Sequence, residues 1–512
     1  MSDKHTIGRK AFIGGLLATV TLPSTIAQAA PSKTPSKTPS KAPSPGAALP
    51  LGSMYHLVDQ INARALWAQG IDGRGVNVAV IDTGTAPVAE LAHKVVAVVD
   101  LSAEAAVPEA RFVDTYGHGT HMAGIIAGAT PGATAAAAAA NPTWFMGVAP
   151  GAGIVSVKVA DNSGAVDVSQ VIAAVDWVTD HAQELNIRVI NLSYSSGANL
   201  PYTIDPLAFA VERAWRAGIV VVAAAGNDGR SEKRLSAPAT DPYVIAVAAA
   251  EPKGNGRFKV PQWATSGDGV RNPDLSAPGA SVHSLRAPNS RIDLENPSGY
   301  VDERLFKGSG SSQAAAVVSG AVALLLQARP GLTPDQVKAL LMSSANSGAI
   351  SPRPVKFAGA GLLDVAAAAR RPVPNTVQTW TPSNGSAPLD AARVDQMLNA
   401  LGAPLVGNTT VLGTPWEGVR WTGVRWTGGS WNGVQWTGGQ WMGVRWTDAA
   451  WTGVRWTGVR WTDGAWTGVR WTGGTWSGVR WTGSSWTGVR WTGVRWTDSS
   501  WSGATWSGGG WS

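Results

Sequence analysis

A doubly wound α/β domain with a mostly parallel sheet, followed by a repeat tail, is what this sequence predicts. Three observations carry it. Short runs rich in Val, Ile and Ala recur along the middle of the chain. Such runs read as strands buried on both faces, hence parallel. Stretches of helical length and spacing separate them, and strands alternating with helices argue a sheet covered on both sides. From Trp416 onward tryptophan recurs at every fifth residue as far as Trp511, and self-similarity of that kind marks a repeat array.

The composition bounds the rest. A chain of 512 residues holds several structural units, and 44% hydrophobic against 15% charged residues excludes wholesale disorder. There is no cysteine. A disulfide scaffold, a thiol nucleophile and a cysteine-ligated zinc are thereby excluded. The net charge of +7 comes from the two ends, from Lys4, Arg9, Lys10, Lys33, Lys37 and Lys41 and from the arginines of the tail. It therefore gives no reason to assign the middle a nucleic-acid partner.

In chain order, Arg9 and Lys10 precede an apolar run at 11–22, and Ala27-Gln28-Ala29 has the small-x-small cleavage pattern. Residues 1–29 thus read as an export signal. The run is shorter than the ~20 residues that cross a bilayer. The mature chain is expected to lack a transmembrane segment and to be secreted or associated with the cell envelope. Arg9-Lys10-Ala11-Phe12-Ile13 resembles a twin-arginine signal with Lys in second place. Residues 30–51 repeat Pro, Ser and Lys and read as a solvated linker.

Residues 52–370 form the predicted α/β domain. Strands are expected at 76–81, 154–159, 189–192, 219–225 and 244–248, and helices at 169–181, 206–217 and 312–328. The Ala/Gly-rich stretch 130–140 reads as a surface insertion. Residues 371–415 read as a linker with one short helix around 390–401. The array 416–512 is built mostly of Trp-Thr-Gly-Val-Arg units. Gly and Thr in nearly every unit disfavour a helix. In an extended strand, odd spacing sends successive Trp to opposite faces, so the tail has room for β structure.

Three segments carry chemistry. Val80-Ile81-Asp82-Thr83-Gly84 ends a predicted strand in a carboxylate. Gly117-His118-Gly119-Thr120-His121 opens a helix with histidine, and Gly310-Ser311-Ser312-Gln313 opens another with serine. Ligands of open α/β sheets bind beyond the carboxyl ends of the strands, where these loops lie. A serine hydroxyl is a poor nucleophile until a base takes its proton. An imidazole does this near neutral pH, and a carboxylate fixes its tautomer. Taken singly, Asp82 suits a turn or a cap and His118 a hydrogen-bonded core position. Together, in the order Asp, His, Ser, they suit nucleophilic catalysis. His121, three residues after His118, reads as a packing or orienting residue.

These segments look like the signatures around the catalytic Asp, His and Ser of the subtilase family. Gly310-Ser311-Ser312-Gln313-Ala314-Ala315-Ala316 stands where the family usually shows Gly-Thr-Ser-Met-Ala-x-Pro. Further pieces follow in family order: Gly147-Val148-Ala149-Pro150, Asn191-Leu192-Ser193-Tyr194-Ser195, Ala224-Ala225-Gly226-Asn227 and Ala277-Pro278-Gly279. The resemblance spans about Asp59 to Ala369. It implies a subtilisin-like fold and a serine endopeptidase with Asp82, His118 and Ser312 as catalytic residues. It also implies Asn227 at the oxyanion, read here as a buried amide, and Ser193, Tyr194 and Ser195 along the substrate. The sequence departs from the family at Ser311, Ala316, Val317 and Tyr194-Ser195, none of which removes a catalytic group. The folded prosegment usual in the family has no counterpart in residues 30–51, because a unit under ~40 residues rarely folds unaided.

The chemistry requires no cofactor and no metal. A structural calcium ion is the one addition the resemblance leaves room for. Glu90 falls near a family ligand position, although the residue itself reads as a solvated surface glutamate. The expected partners are protein or peptide substrates, with cell-wall polymers or glycans at 416–512. The contrasting reading is a non-catalytic adhesion protein of the envelope that uses the same fold as a scaffold. A fluorophosphonate probe separates the two, since it labels only an activated serine.

Overall fold

The computed structural model describes residues 49–194, 196, 198–351, 355–393, 405 and 407–410, with the backbone of 425–427 and 445–447. The signal, most of the first linker and nearly all of the repeat lie outside the described residues, as does Ser195.

The predicted strands form with their ends shifted by a residue or two. They are β1 (Asn77–Asp82), β3 (Gly153–Lys158), β4 (Ile187–Leu192), β5 (Val220–Ala224) and β6 (Ile245–Gly254). The sequence reading missed β2 (Val95–Asp100), β7 (Arg257–Lys259) and β8 (Leu275–Pro278). The sheet runs β2-β3-β1-β4-β5-β6-β7, with β8 also on β6, and only the β6–β7 pairing is antiparallel. Two of the missed strands have local reasons. β2 lies at the sheet edge and alternates in burial. β8 is four residues long and holds Pro278, which suits an outer position.

The winding reverses at β1, which lies between β3 and β4. A crevice opens where the loops after β3 and β4 diverge, and Asp82, the last residue of β1, stands at its floor.

The helices start where side chains can cap them. Asp167 caps Val168–His181 in a capping box with Gln170. Asp205 caps Pro206–Arg216, with Pro206 in the first turn. Ser311–Ala328 packs beneath β4, β5, β6 and β8 and is buried from Ser311 to Leu326. It is the one described helix long and apolar enough to cross a membrane. Here that apolarity faces the core: Leu324 and Leu325 are fully buried, and truncating either to Ala costs about 2–5 kcal/mol.

The segment expected as a linker is laid across the body from Arg371 onward. Arg329 Nη1 donates to Arg371 O at 2.6 Å, Gln378 N to Asp335 Oδ2 at 3.0 Å, and Ser383 N to the fully buried Glu212 at 2.7 Å. A four-residue helix, Leu389–Ala392, stands at the start of the expected 390–401 stretch and has ended at the extended Arg393, while residues 394–401 lie outside the described part. In the stretch 130–140, Thr134 caps a short helix, Ala135–Ala138. In the tail, strands Arg425–Thr427 and Arg445–Thr447 pair in parallel, with Trp426 opposite Trp446.

Candidate active site

Asp82 and His118 meet at the crevice floor. His118 Nδ1 lies 2.7 Å from Asp82 Oδ1 and 3.0 Å from Oδ2, and Asp82 Oδ1 also accepts from Thr83 N at 2.8 Å. With the Nδ1 hydrogen donated to the carboxylate, Nε2 is left as the acceptor. The Asp82 side chain is 4% exposed and that of His118 is 24% exposed, so the pair is shielded yet reachable. Burial opposes protonation of His118. The charge and hydrogen bond of Asp82, with Asp114 behind, outweigh it and raise the pKa above the ordinary value.

Local packing fixes this geometry. A Cβ on Gly119 would lie 2.2 Å from Gly84 O, so only glycine lets the histidine helix approach the Asp82 loop this closely. Asp114, 3% exposed, ties the two together. It accepts from Thr83 Oγ1 at 2.7 Å, Gly117 N at 2.6 Å and Thr120 N at 2.7 Å. Burial pushes its carboxyl up, against the hydrogen bonds that favour the charge. Lys158, fully buried at the end of β3, donates to Thr83 O at 3.1 Å and pairs with Glu104 at 2.9 Å. Asp114 and Lys158 were not singled out from the sequence. Asp114 lies four residues before His118, and nothing in its neighbours marks it.

Ser312 opens the core helix. Its hydroxyl donates to Ser193 O at 3.2 Å rather than to His118, while Ser193 Oγ donates to Ser312 O at 3.1 Å. Asn191 Nδ2 holds Ser193 Oγ at 2.9 Å, and Ser319 Oγ holds Asn191 Oδ1 at 2.9 Å. Asn227 is exposed, not buried as expected from the apolar strand before it. The strand ends at Ala224, three residues earlier, and the chain has turned outward through Gly226 at φ 119°. Asn227 Oδ1 accepts from Ser311 N at 2.8 Å, which orients its amide. A Cβ on Gly310 would lie 3.4 Å from Asn227 Nδ2 and 3.6 Å from Ser312 N. Both N–H donors thus lie near one position at the start of the core helix, which Gln313 Oε1 also borders at 2.7 Å.

Ala316 and Val317 are fully buried inside the helix, whose start is intact without the proline usual there. His121 is 4% exposed, with Nε2 at 3.1 Å from Phe306 O, and packs behind the pair. Burial, then the neighbouring His118, lowers its pKa to about 4. Tyr194 is half-buried on the crevice wall, and burial pushes its phenol up. Glu90 is buried, 5% exposed, with Arg304 at 3.5 Å, so it is not the solvated glutamate expected. A carboxylate already facing a guanidinium does not fit a calcium ligand. Among the described residues no three His, Asp or Glu side chains cluster to hold a metal.

This fold is that of the subtilisin-like serine endopeptidases. The Subtilase family of peptidase S8 matches residues 73–368, more than half the chain, and the chain belongs to that family. It is similar to serine protease AprX of Bacillus subtilis (strain 168), 35% identical over 54% of this chain and 63% of that protein. Subtilisin DY of Bacillus licheniformis is 33% identical over 60% of this chain and 96% of its own length. Among solved structures it resembles fervidolysin from Fervidobacterium pennivorans, described as a keratinolytic enzyme related to subtilisin. That match has a TM-score of 0.51 and 29% identity, covering 62% of this chain and 46% of that one.

Proposed function

We propose that the chain is a secreted endopeptidase that cleaves peptide bonds through an acyl-enzyme on Ser312. The supporting observation is the Asp82–His118 pair, 2.7 Å apart, on a crevice that Ser193 also lines, with Ser193 O accepting from the hydroxyl of Ser312 in the first turn of the core helix. Ser312 Oγ attacks the scissile carbonyl carbon and its proton passes to His118 Nε2. The carbonyl oxygen becomes an oxyanion between Asn227 Nδ2 and Ser312 N. The C–N bond then breaks, and His118 returns the proton to the leaving amine. Water repeats the sequence and frees the acid. Asp82 orients the imidazole and stabilises its charged form. Ser193 and Tyr194 line the substrate, and Ser195 joins them by its place in the motif. None of these steps needs a metal or cofactor. Turnover of a chromogenic peptide by wild type and its loss in Ser312→Ala is the expected outcome. Absence of turnover in both returns the fold to the scaffold reading.

The signal pattern at 1–29 supports export. For 416–512 the reading is attachment to an envelope polymer or glycan. Trp stacks on sugar rings, and the Arg that precedes it in many units meets anionic groups. The parallel pairing sets position Arg425 opposite Arg445. The full-length chain is expected to sediment with cell-wall material and to be released by high salt; a chain that stays in the low-salt supernatant contradicts the reading.

A further inference from the structure

The family match ends at residue 368, yet the chain beyond it reaches the crevice. That crevice, about 420 Å³, runs from Asp82 and His118 past Tyr194 and Ser196 to Arg393. One wall is the loop after β3, which ends at Asp167, and the other is the loop after β4, which holds Ser193–Ser196. Ala392 and Arg393 touch both. Ser196 Oγ donates to Ala392 O at 3.0 Å. Arg393 Nε and Nη2 lie 2.7 Å and 3.1 Å from the two oxygens of Asp167.

Asp167 is fully buried, and the Arg393 side chain is 6% exposed. A buried carboxylate needs a partner, and a two-pronged guanidinium is the most directional one available. The same guanidinium donates through Nη1 to Asp390 at 2.8 Å and to Gly407 O at 3.0 Å, and through Nη2 to Thr409 O. Its donors are thus spent on bridging, with none aimed into the crevice. The strap that carries it is anchored upstream at Tyr243, whose hydroxyl donates to Trp380 O at 2.6 Å, and at Thr203, whose carbonyl accepts from Asn384 N at 2.8 Å.

We propose that the strap 380–393 is a built part of the substrate crevice and that Arg393 is a positioning residue for substrate length. By fixing the separation of the two walls away from His118, it sets how well the crevice grips residues remote from the scissile bond. This rests on the endopeptidase reading. The bond-making groups stand at the other end, so the effect falls on KM and not on kcat.

The test is a series of chromogenic peptides with two to five residues ahead of the reporter, read in the full chain with a thermal midpoint for each variant. In wild type, KM falls as residues are added. In Arg393→Ala, about tenfold or more of that gain is lost for the longest peptide, as expected for a buried charged hydrogen bond, with kcat within about twofold. Arg393→Lys, which keeps the charge without the fork, recovers part of the gain. Should Arg393→Ala fail to fold, Ser196→Ala cuts the strap's other tie and is expected to lose the same length-dependent part to a smaller extent. Unchanged length dependence in folded Arg393→Ala and Ser196→Ala, or an equal kcat loss for short and long peptides, overturns the proposal. No turnover of any peptide by wild type instead overturns the enzyme reading beneath it.

Discussion

The two halves of the candidate active site are held in different ways. Asp82 and His118 are already joined at 2.7 Å, and buried Asp114 and Lys158 lock the loops that carry them. Ser312 is turned to Ser193 O, and among the described residues the Asn227 amide is held through its oxygen, by Ser311 N. On the proposed reading, the base is set by the fold, whereas the nucleophile and the oxyanion donor are left to be engaged by substrate. Catalytic hydrogen bonds often tighten only when substrate is present, which accounts for the open Ser312–His118 contact. A scaffold kept for adhesion alone has no need of a buried carboxylate oriented on a partly exposed histidine.

Breaking the locked half is expected to cost most. Asp82→Asn leaves a hydrogen-bonding group of the same shape but favours the wrong tautomer of His118, and turnover should fall by ~10⁴. The same change removes the charge that raises the His118 pKa. Activity needs neutral His118, so in wild type the acidic limb of kcat/KM lies above the ordinary histidine value of about 6.5. In Asp82→Asn that limb moves to lower pH. A pH–rate profile with no shift between the two contradicts the pairing.

The open half is expected to cost less. Asn227→Ala removes one of two oxyanion donors, worth ~10²–10³ in kcat, with KM nearly unchanged. Steady-state kinetics separate the terms, and a rise in KM alone assigns Asn227 to ground-state binding.

The smallest effect concerns stability. Folded His121 takes a proton only near pH 4, whereas the unfolded chain takes one near pH 6.5. Its stabilising contribution is therefore present above about pH 6.5 and lost as pH falls toward 4, by about 3 kcal/mol. Denaturant titrations between pH 7 and 4 should show this loss in wild type and a flatter curve in His121→Gln. Parallel curves contradict it.

Legibility followed the same division. The placement of Asp82 at a strand end and of His118 and Ser312 at helix starts was readable from the buried runs and glycines around them. The central strands were readable from their unbroken apolar runs, while β2 and β8 sit where burial alternates or the run is short. Asn227 was read in the right place but the wrong environment, since a turn after β5 left no trace in the hydrophobic pattern. Glu90 was misread because its partner, Arg304, is distant in sequence. Arg393 was invisible for the same reason: Asp167, its partner, lies 226 residues away in the chain.

The most direct measurement is covalent labelling of the full chain by a fluorophosphonate, read by intact mass and peptide mapping. One label per chain is expected, on Ser312. It should be lost in Ser312→Ala and strongly slowed in His118→Ala. A wild-type chain that is folded but unlabelled, or a label that persists in Ser312→Ala, contradicts the assignment of Ser312 as an activated nucleophile.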